Sequence, residues 1–357
     1  MDHTAYAEWF FDYTFASTCA TIVSGSIAER TQISAYIIYS IAVVGWIYPF
    51  PSHWAWKEDI GWLKTRGYHD FAGSGVVHIT GGAIALVACY LIGPRMGRWD
   101  SLGRPPTMPG HSVPLQSLGG FILLLGFLAF NGASEGHIDQ LQDAAIMDRA
   151  VINTLLGGSS GGLVALFKIY WSNKTNRKWS FQAMLNGALA GMVSMGAGSD
   201  VYEPWSAVII GCCAGLVYLG LSKAMRRALL DDPLDAVAVH LGGGWLGVIC
   251  VYIFSQPVEG PKGVLFRFTE GDAWKNLGMN LAGAVVITMW ALFWSLVVFG
   301  LLEKFHKLRV SEEAEKKGLD LVAHGELAYP KDAWIEEQYR TTIRDTLPPF
   351  MRIESNV

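Results

Sequence analysis

Nine stretches of about twenty mostly apolar residues follow one another along this chain, each long enough to cross a bilayer as a helix. They lie near 8–28, 33–52, 72–93, 112–133, 150–171, 180–198, 203–222, 235–255 and 279–302. Lipid offers no hydrogen bonds to the backbone, so a spanning segment must satisfy its own polar groups, and at this length it does so as a helix. The expected fold is therefore all-α, a polytopic transmembrane bundle. Composition agrees. The chain is 51% hydrophobic and only 16% charged, whereas soluble domains carry about 25% charged residues. Its 40 glycines suit helices that pack closely in lipid. The first ten residues, MDHTAYAEWF, lack the basic start and apolar core of a signal peptide. From about 303 to 357 the chain turns charged and polar, which divides it into a transmembrane domain, 1–302, and a cytosolic tail, 303–357.

Several function classes fall away. A net charge of −4 without a basic patch argues against nucleic acid. Cys19, Cys89, Cys212, Cys213 and Cys250 all sit in apolar runs, with neither zinc-ligand nor disulfide spacing. No nucleophile motif, phosphate loop or metal-ligand cluster marks an enzyme, and no cofactor is expected.

Orientation follows from the short loops. One set holds Arg95, Arg98 and Arg104, then Lys168, Lys174, Arg177 and Lys178, then Lys223, Arg226 and Arg227, and the tail adds Lys304, Lys307 and Arg309. The other set is poorer in Lys and Arg. This places the tail in the cytosol and the N-terminus outside, which an odd number of spans accommodates. It also places the sequon Asn173-Lys174-Thr175 in the cytosol, where it is expected to stay unglycosylated.

Two segments echo each other. Asp70-Phe-Ala-Gly-Ser-Gly-Val-Val-His78-Ile-Thr-Gly-Gly and Asp235-Ala-Val-Ala-Val-His240-Leu-Gly-Gly-Gly both run from an acid through Val-His to a glycine cluster. On the expected topology they run in opposite directions, the pattern of inverted repeats that build substrate sites at the membrane midplane. His78 and His240 are the only histidines deep in the expected spans. An ionisable group there is costly, and usually functional. The plain alternative is a helix histidine bonded to a neighbour, but two on corresponding helices weaken that reading. A neutral imidazole offers one donor and one acceptor, so two of them can share a hydrogen bond and still face a substrate with one of each.

Asp70 and Asp235 fall at expected helix N-termini. Capping alone accounts for an acid there, and is the expectation for Asp235. For Asp70 an electrostatic role near an outer vestibule is added. Phe11, Phe15, Trp56 and Phe130 fall near outer ends of spans, where an aromatic belt facing headgroups is the ordinary reading. The functional one is a cup of ring faces for a cation, worth about 0.5–2 kcal/mol per ring. Ser134, just after Phe130, would accept a hydrogen bond from the same cation, although a serine ending a helix is commonly a cap.

In this order the residues resemble the Amt/MEP/Rh superfamily, in its Amt/MEP branch of ammonium transporters. Asp70–His78 resembles the signature D-F-A-G-x-x-V-V-H, and Asp231–His240 resembles D-D-P-x-D-x-x-x-V-H. Ala28-Glu29-Arg30 resembles the end of the family's third helix, and Gly318–Tyr329 its tail motif G-L-D-x-x-x-H-G-E-x-A-Y. The resemblance runs from about 8 to 330. It implies a bundle of eleven helices, of which the first two have no counterpart here, so the pore wall is expected to be incomplete. It implies one pore per subunit, a homotrimer in the plasma membrane, and ammonium or ammonia as the cargo. It assigns His78 and His240 to a twin-histidine pore pair, and Phe15 and Phe130 to a stacked gate. Phe11, Trp56 and Ser134 become an outer ammonium site, with Asp70 as its acid. Two departures stand out: the family's Trp-Phe-Gly-Phe-Asn reads Phe127-Leu-Ala-Phe130-Asn131 here, and the threonine that plant members regulate is Val322. Trp56 and Ser134 separate the chain from the Rh branch.

Two other classes compete. One is a sensor that binds ammonium but conducts little, and the missing helices favour it. The other is a membrane haem protein with His78 and His240 as axial ligands, which no attachment motif supports.

Overall fold

The computed structural model of the chain describes residues 3–100, 103, 108–172, 177–256 and 262–329. The sequon at 173–175, Arg104 and the tail beyond 329 lie outside them. The described residues are helical without a strand; a single β-bridge joins Thr31 to Arg309. Two compact units form, Met1–Arg309 and Val310–Val357.

The first unit is a helix bundle. Its elements are α1 (His3–Ser26), α2 (Ile33–Trp56), α3 (Ser74–Ile92), α4 (Val113–Gly132), α5 (Leu141–Ser172), α6 (Phe181–Met195), α7 (Pro204–Arg227), α8 (Val237–Phe254) and α9 (Gly271–Lys304). Among the described residues, seven helices are long and apolar enough to cross a membrane. The stretches expected at 8–28 and 180–198 supply α1 and α6. The first carries Glu8, Asp12 and a run of Ser and Thr; the second is 15 residues long.

Local chemistry sets the helix ends. The Ser112 side chain accepts from the Leu115 N–H, and that of Ser180 from the Ala183 N–H, so each caps a helix start. Pro204 opens α7, where its missing N–H costs nothing. Threonines and serines inside the spans bond back to their own helix, as Thr18 does to Thr14 and Thr154 to Ala150. This removes a hydroxyl's cost in lipid.

Glycine decides how the helices meet. Helices α5, α6 and α7 pack as a trio in which Gly161 faces the Gly187 carbonyl at a spot where a Cβ would come within 2.5 Å. Gly191 and Gly211 press on the Gly157 carbonyl in the same way. Backbones this close gain dispersion without hydrophobic help, as helix packing in lipid requires.

Arg30, fully buried, ties one end of the bundle. Its guanidinium donates to the carbonyls of Gly93, Ala28, Ser26 and Asp231. The Asp231 carboxylate is clasped by Arg95 at 2.8 Å and Arg98 at 3.0 Å. Burial works against that carboxylate, but the Arg95 guanidinium and backbone N–H hold it below the usual range.

One sequence expectation is corrected here. Asp235 does not cap α8. Its backbone is left-handed, with φ 57°, a conformation that aspartate tolerates better than most residues. That turns the carboxylate back onto α7, where it accepts from Ser222 at 2.7 Å and Tyr218 at 3.1 Å. The open N–H of Val237 goes to Asp232 instead, at 2.8 Å.

In the second unit a short helix, α10 (Glu312–Lys317), starts on a Ser311 cap, acidic in its first turn and basic in its last. That charge order suits the helix dipole. Gly318 follows at φ 94°, and Asp320 accepts from the Ala328 N–H. Val322 is exposed.

Candidate functional site

The two segments that echo in sequence are alike in structure. Each opens with a wide π turn, Ser74–Ile79 in α3 and Val237–Gly242 in α8, and continues as an α-helix. Such turns are rare and gather at functional sites. His78 and His240 both stand near the end of their π turn. The segments cross where their glycine clusters meet: Gly82 lies against the Leu241 backbone, and Gly244 against the Ser74 carbonyl and Ile79. The Gly-Gly that follows each histidine therefore lets the segments touch.

That crossing brings the imidazoles together. His78 Nδ1 lies 3.1 Å from His240 Nδ1, and the rings stack 17° from parallel with centroids 5.1 Å apart. One Nδ1 donates and the other accepts, so one proton serves the contact. His78 Nε2 is buried and has no hydrogen-bond partner. A buried unpaired ring nitrogen costs free energy until something meets it. Rings in direct hydrogen-bond contact leave no room for an iron and a porphyrin between them, which removes the haem reading. The pair faces a cavity of about 420 Å³ lined by Thr18 and Gly25 of α1, Gln116 and Phe127 of α4, and Leu185 and Asn186 of α6. Phe127, where the family motif has tryptophan, stacks on His78 with centroids 5.6 Å apart.

Phe15 and Phe130 stack with centroids 4.0 Å apart and planes 23° apart. Phe130 is also 5.7 Å from the His78 ring. The phenylalanine pair thus separates the histidines from a second cavity, again of about 420 Å³, lined by Phe11, Phe15, Trp56, Asp70 and Ser134. Phe15 is 2% exposed, which is not how a belt residue sits. The rings of Phe11 and Trp56 are 4.6 and 5.6 Å from Phe15. The Trp56 indole N–H donates to the Asp70 carbonyl at 2.6 Å, fixing its ring. Ser134 donates to the Phe130 carbonyl, which leaves its oxygen able to accept.

Asp70 does cap a helix. Its carboxylate accepts from the N–H groups of Gly73, Gly75 and Val76 at 2.9–3.2 Å. It is also buried. Burial pushes it up to about 6, against the pull of those N–H groups and of His69. Lys64, His69, Glu135 and Asp200 line the same cavity. Sequence reasoning missed them because they lie in loops or at helix ends, outside the apolar pattern.

The helical bundle, its apolar spans and its buried polar pair define a multi-pass membrane protein. Comparison with known proteins gives the family. The model of the Ammonium Transporter Family matches residues 2–329. Putative ammonium transporter 1 of Caenorhabditis elegans is 42% identical over 348 residues, covering 92% of this chain and 64% of its own length. Ammonium transporter 1 member 1 of Arabidopsis thaliana is 37% identical, covering 91% and 68%. A solved structure described as a sensor Amt protein superposes with a TM-score of 0.80 at 34% identity, covering 89% of this chain and 76% of that one. The chain belongs to the Ammonium Transporter Family. It spans about two thirds of the length of these transporter relatives.

Proposed function

We propose that the chain is an ammonium-transporting subunit, and the observation that carries this reading is the buried His78–His240 pair with its unpartnered Nε2. Ammonium is recruited in the cavity of Phe11, Trp56, Ser134 and Asp70. Ring faces attract the cation, Ser134 accepts a hydrogen bond from it, and the Asp70 carboxylate supplies negative charge nearby. The proton is given up there, because a bare ion is far costlier to dehydrate than neutral ammonia. Ammonia then passes the Phe15–Phe130 gate and runs along the imidazoles. Each can take or give one hydrogen bond to it, which offsets the loss of water. The loop charges support an outer N-terminus and a cytosolic tail, with the recruitment cavity on the outside. A homotrimer in the plasma membrane completes the reading, with lipid and further copies of the chain as its partners.

The test is methylammonium uptake into proteoliposomes that contain the full chain. Saturable uptake above that of empty liposomes is expected. A protein that inserts and binds ammonium but moves none overturns conduction and leaves the sensor reading, which the likeness to the sensor protein favours. Within the same assay, Trp56→Leu is expected to raise the half-saturation concentration about 2- to 30-fold, the loss of one cation–π contact, with a smaller change in maximal rate. An unchanged half-saturation concentration would remove Trp56 from recruitment.

A further inference from the structure

The recruitment cavity holds a pair that the reading above does not use. His69 Nε2 lies 3.1 Å from Asp200 Oδ2 and 3.3 Å from Oδ1, and both residues line the cavity. The contact is built to persist. The His69 N–H donates to the Asn280 side chain at 2.9 Å, and its carbonyl accepts from the same amide at 3.0 Å. The His69 ring packs edge-on against Tyr252, whose hydroxyl is anchored on the Gly67 carbonyl. The Asp200 side chain is only 13% exposed.

The charged groups around the pair are few. Lys64 faces it from the preceding loop, itself paired with Glu58 at 3.0 Å. Asp70 is the next residue in the chain. Asp12 of α1 and Glu135, in the turn just after α4, also line the cavity.

We propose that the His69–Asp200 pair sets the cavity's affinity for a small cation such as ammonium, through the proton that His69 carries. The inference rests on the recruitment reading. With His69 protonated the pair is neutral overall. With His69 deprotonated, the full Asp200 charge stands in the cavity beside Asp70, and a cation binds better. Linkage requires the converse: a bound cation drives the proton from His69. Burial opposes the imidazolium, yet the Asp200 carboxylate outweighs it and holds His69 above its ordinary range. The affinity therefore falls as pH drops through the His69 transition. Asp70 loses its charge in a neighbouring range, about 6, so the two contributions must be separated.

The test follows the His69 imidazole by 15N NMR in the full chain, in nanodiscs, with ammonium chloride or with choline chloride at equal ionic strength. Tryptophan fluorescence, corrected with Trp56→Leu, reports binding in the same samples. Saturating ammonium is expected to lower the His69 pKa by about half a unit, equivalent to roughly three-fold weaker ammonium binding when His69 is protonated. His69→Gln is expected to tighten binding at low pH and leave only the component of the cavity carboxylates, Asp70, Asp12 and Glu135. Asp200→Asn is expected to weaken binding and to move the His69 transition to lower pH. Ammonium that binds by fluorescence yet leaves the His69 titration unmoved overturns the pair's role while recruitment stands. Ammonium that moves neither signal overturns both. The wild-type titration decides the matter even where a variant does not fold.

Discussion

Replacing His78 with alanine is expected to cut methylammonium uptake at least roughly tenfold while the bundle stays folded. The variant removes one half of the 3.1 Å imidazole contact and the only buried imidazole nitrogen without a partner among the described residues. His240 Nδ1 then loses its partner, a buried deficit of about 1–3 kcal/mol. The same deficit faces ammonia as it passes, and each 1.4 kcal/mol is about tenfold in rate. The fold should survive, because the crossing of α3 and α8 is made by glycines and backbone, not by the imidazoles. Proteoliposome uptake and size-exclusion chromatography of the same preparation check both halves. Undiminished uptake by a folded His78→Ala protein would take the pair out of the transport path.

The second large effect comes from the crossing itself. Gly82→Val and Gly244→Val are each expected to abolish the monodisperse protein. A Cβ at Gly82 would collide with the Leu241 backbone nitrogen, and one at Gly244 would sit 2.5 Å from the Ser74 carbonyl. Side chains can turn away from an added methyl, but two backbones cannot. The cost should exceed the roughly 1–3 kcal/mol usual for overpacking. Gly126→Ala is the control, since nothing lies within 4 Å of the added atom, and it should behave as wild type. A stable, active Gly82→Val protein would show that the helices meet elsewhere.

Much of the fold was legible because lipid imposes a length and a polarity on every span. All nine apolar stretches are helices, and the echo around His78 and His240 pointed to the segments that meet. The sequence did not show that each histidine sits on a π turn, because such a turn has no composition of its own. It also did not show that Gly82 and Gly244 touch the opposite segment, a fact about three dimensions. The Asp235 cap failed for a local reason. In Asp231-Asp-Pro-Leu-Asp235 two acids could reach the open N–H groups of α8, and the left-handed turn at Asp235 hands the task to Asp232. The aromatics were ambiguous by position alone. Burial of Phe15 against Phe130 distinguishes them from exposed rings such as Trp9 and Phe10. The loop residues around Asp70 were invisible to periodicity, and His69 and Asp200 are 131 positions apart.

Conduction of ammonia as proposed depends on two imidazoles sharing one proton between their Nδ1 atoms inside the bundle. Solid-state NMR of 15N-histidine protein in lipid reads this directly, through scalar coupling across the hydrogen bond. Coupling is expected between the Nδ1 nuclei of His78 and His240, with one ring protonated at Nδ1 and the other at Nε2. Uncoupled Nδ1 signals, or two rings both protonated at Nε2, would contradict it.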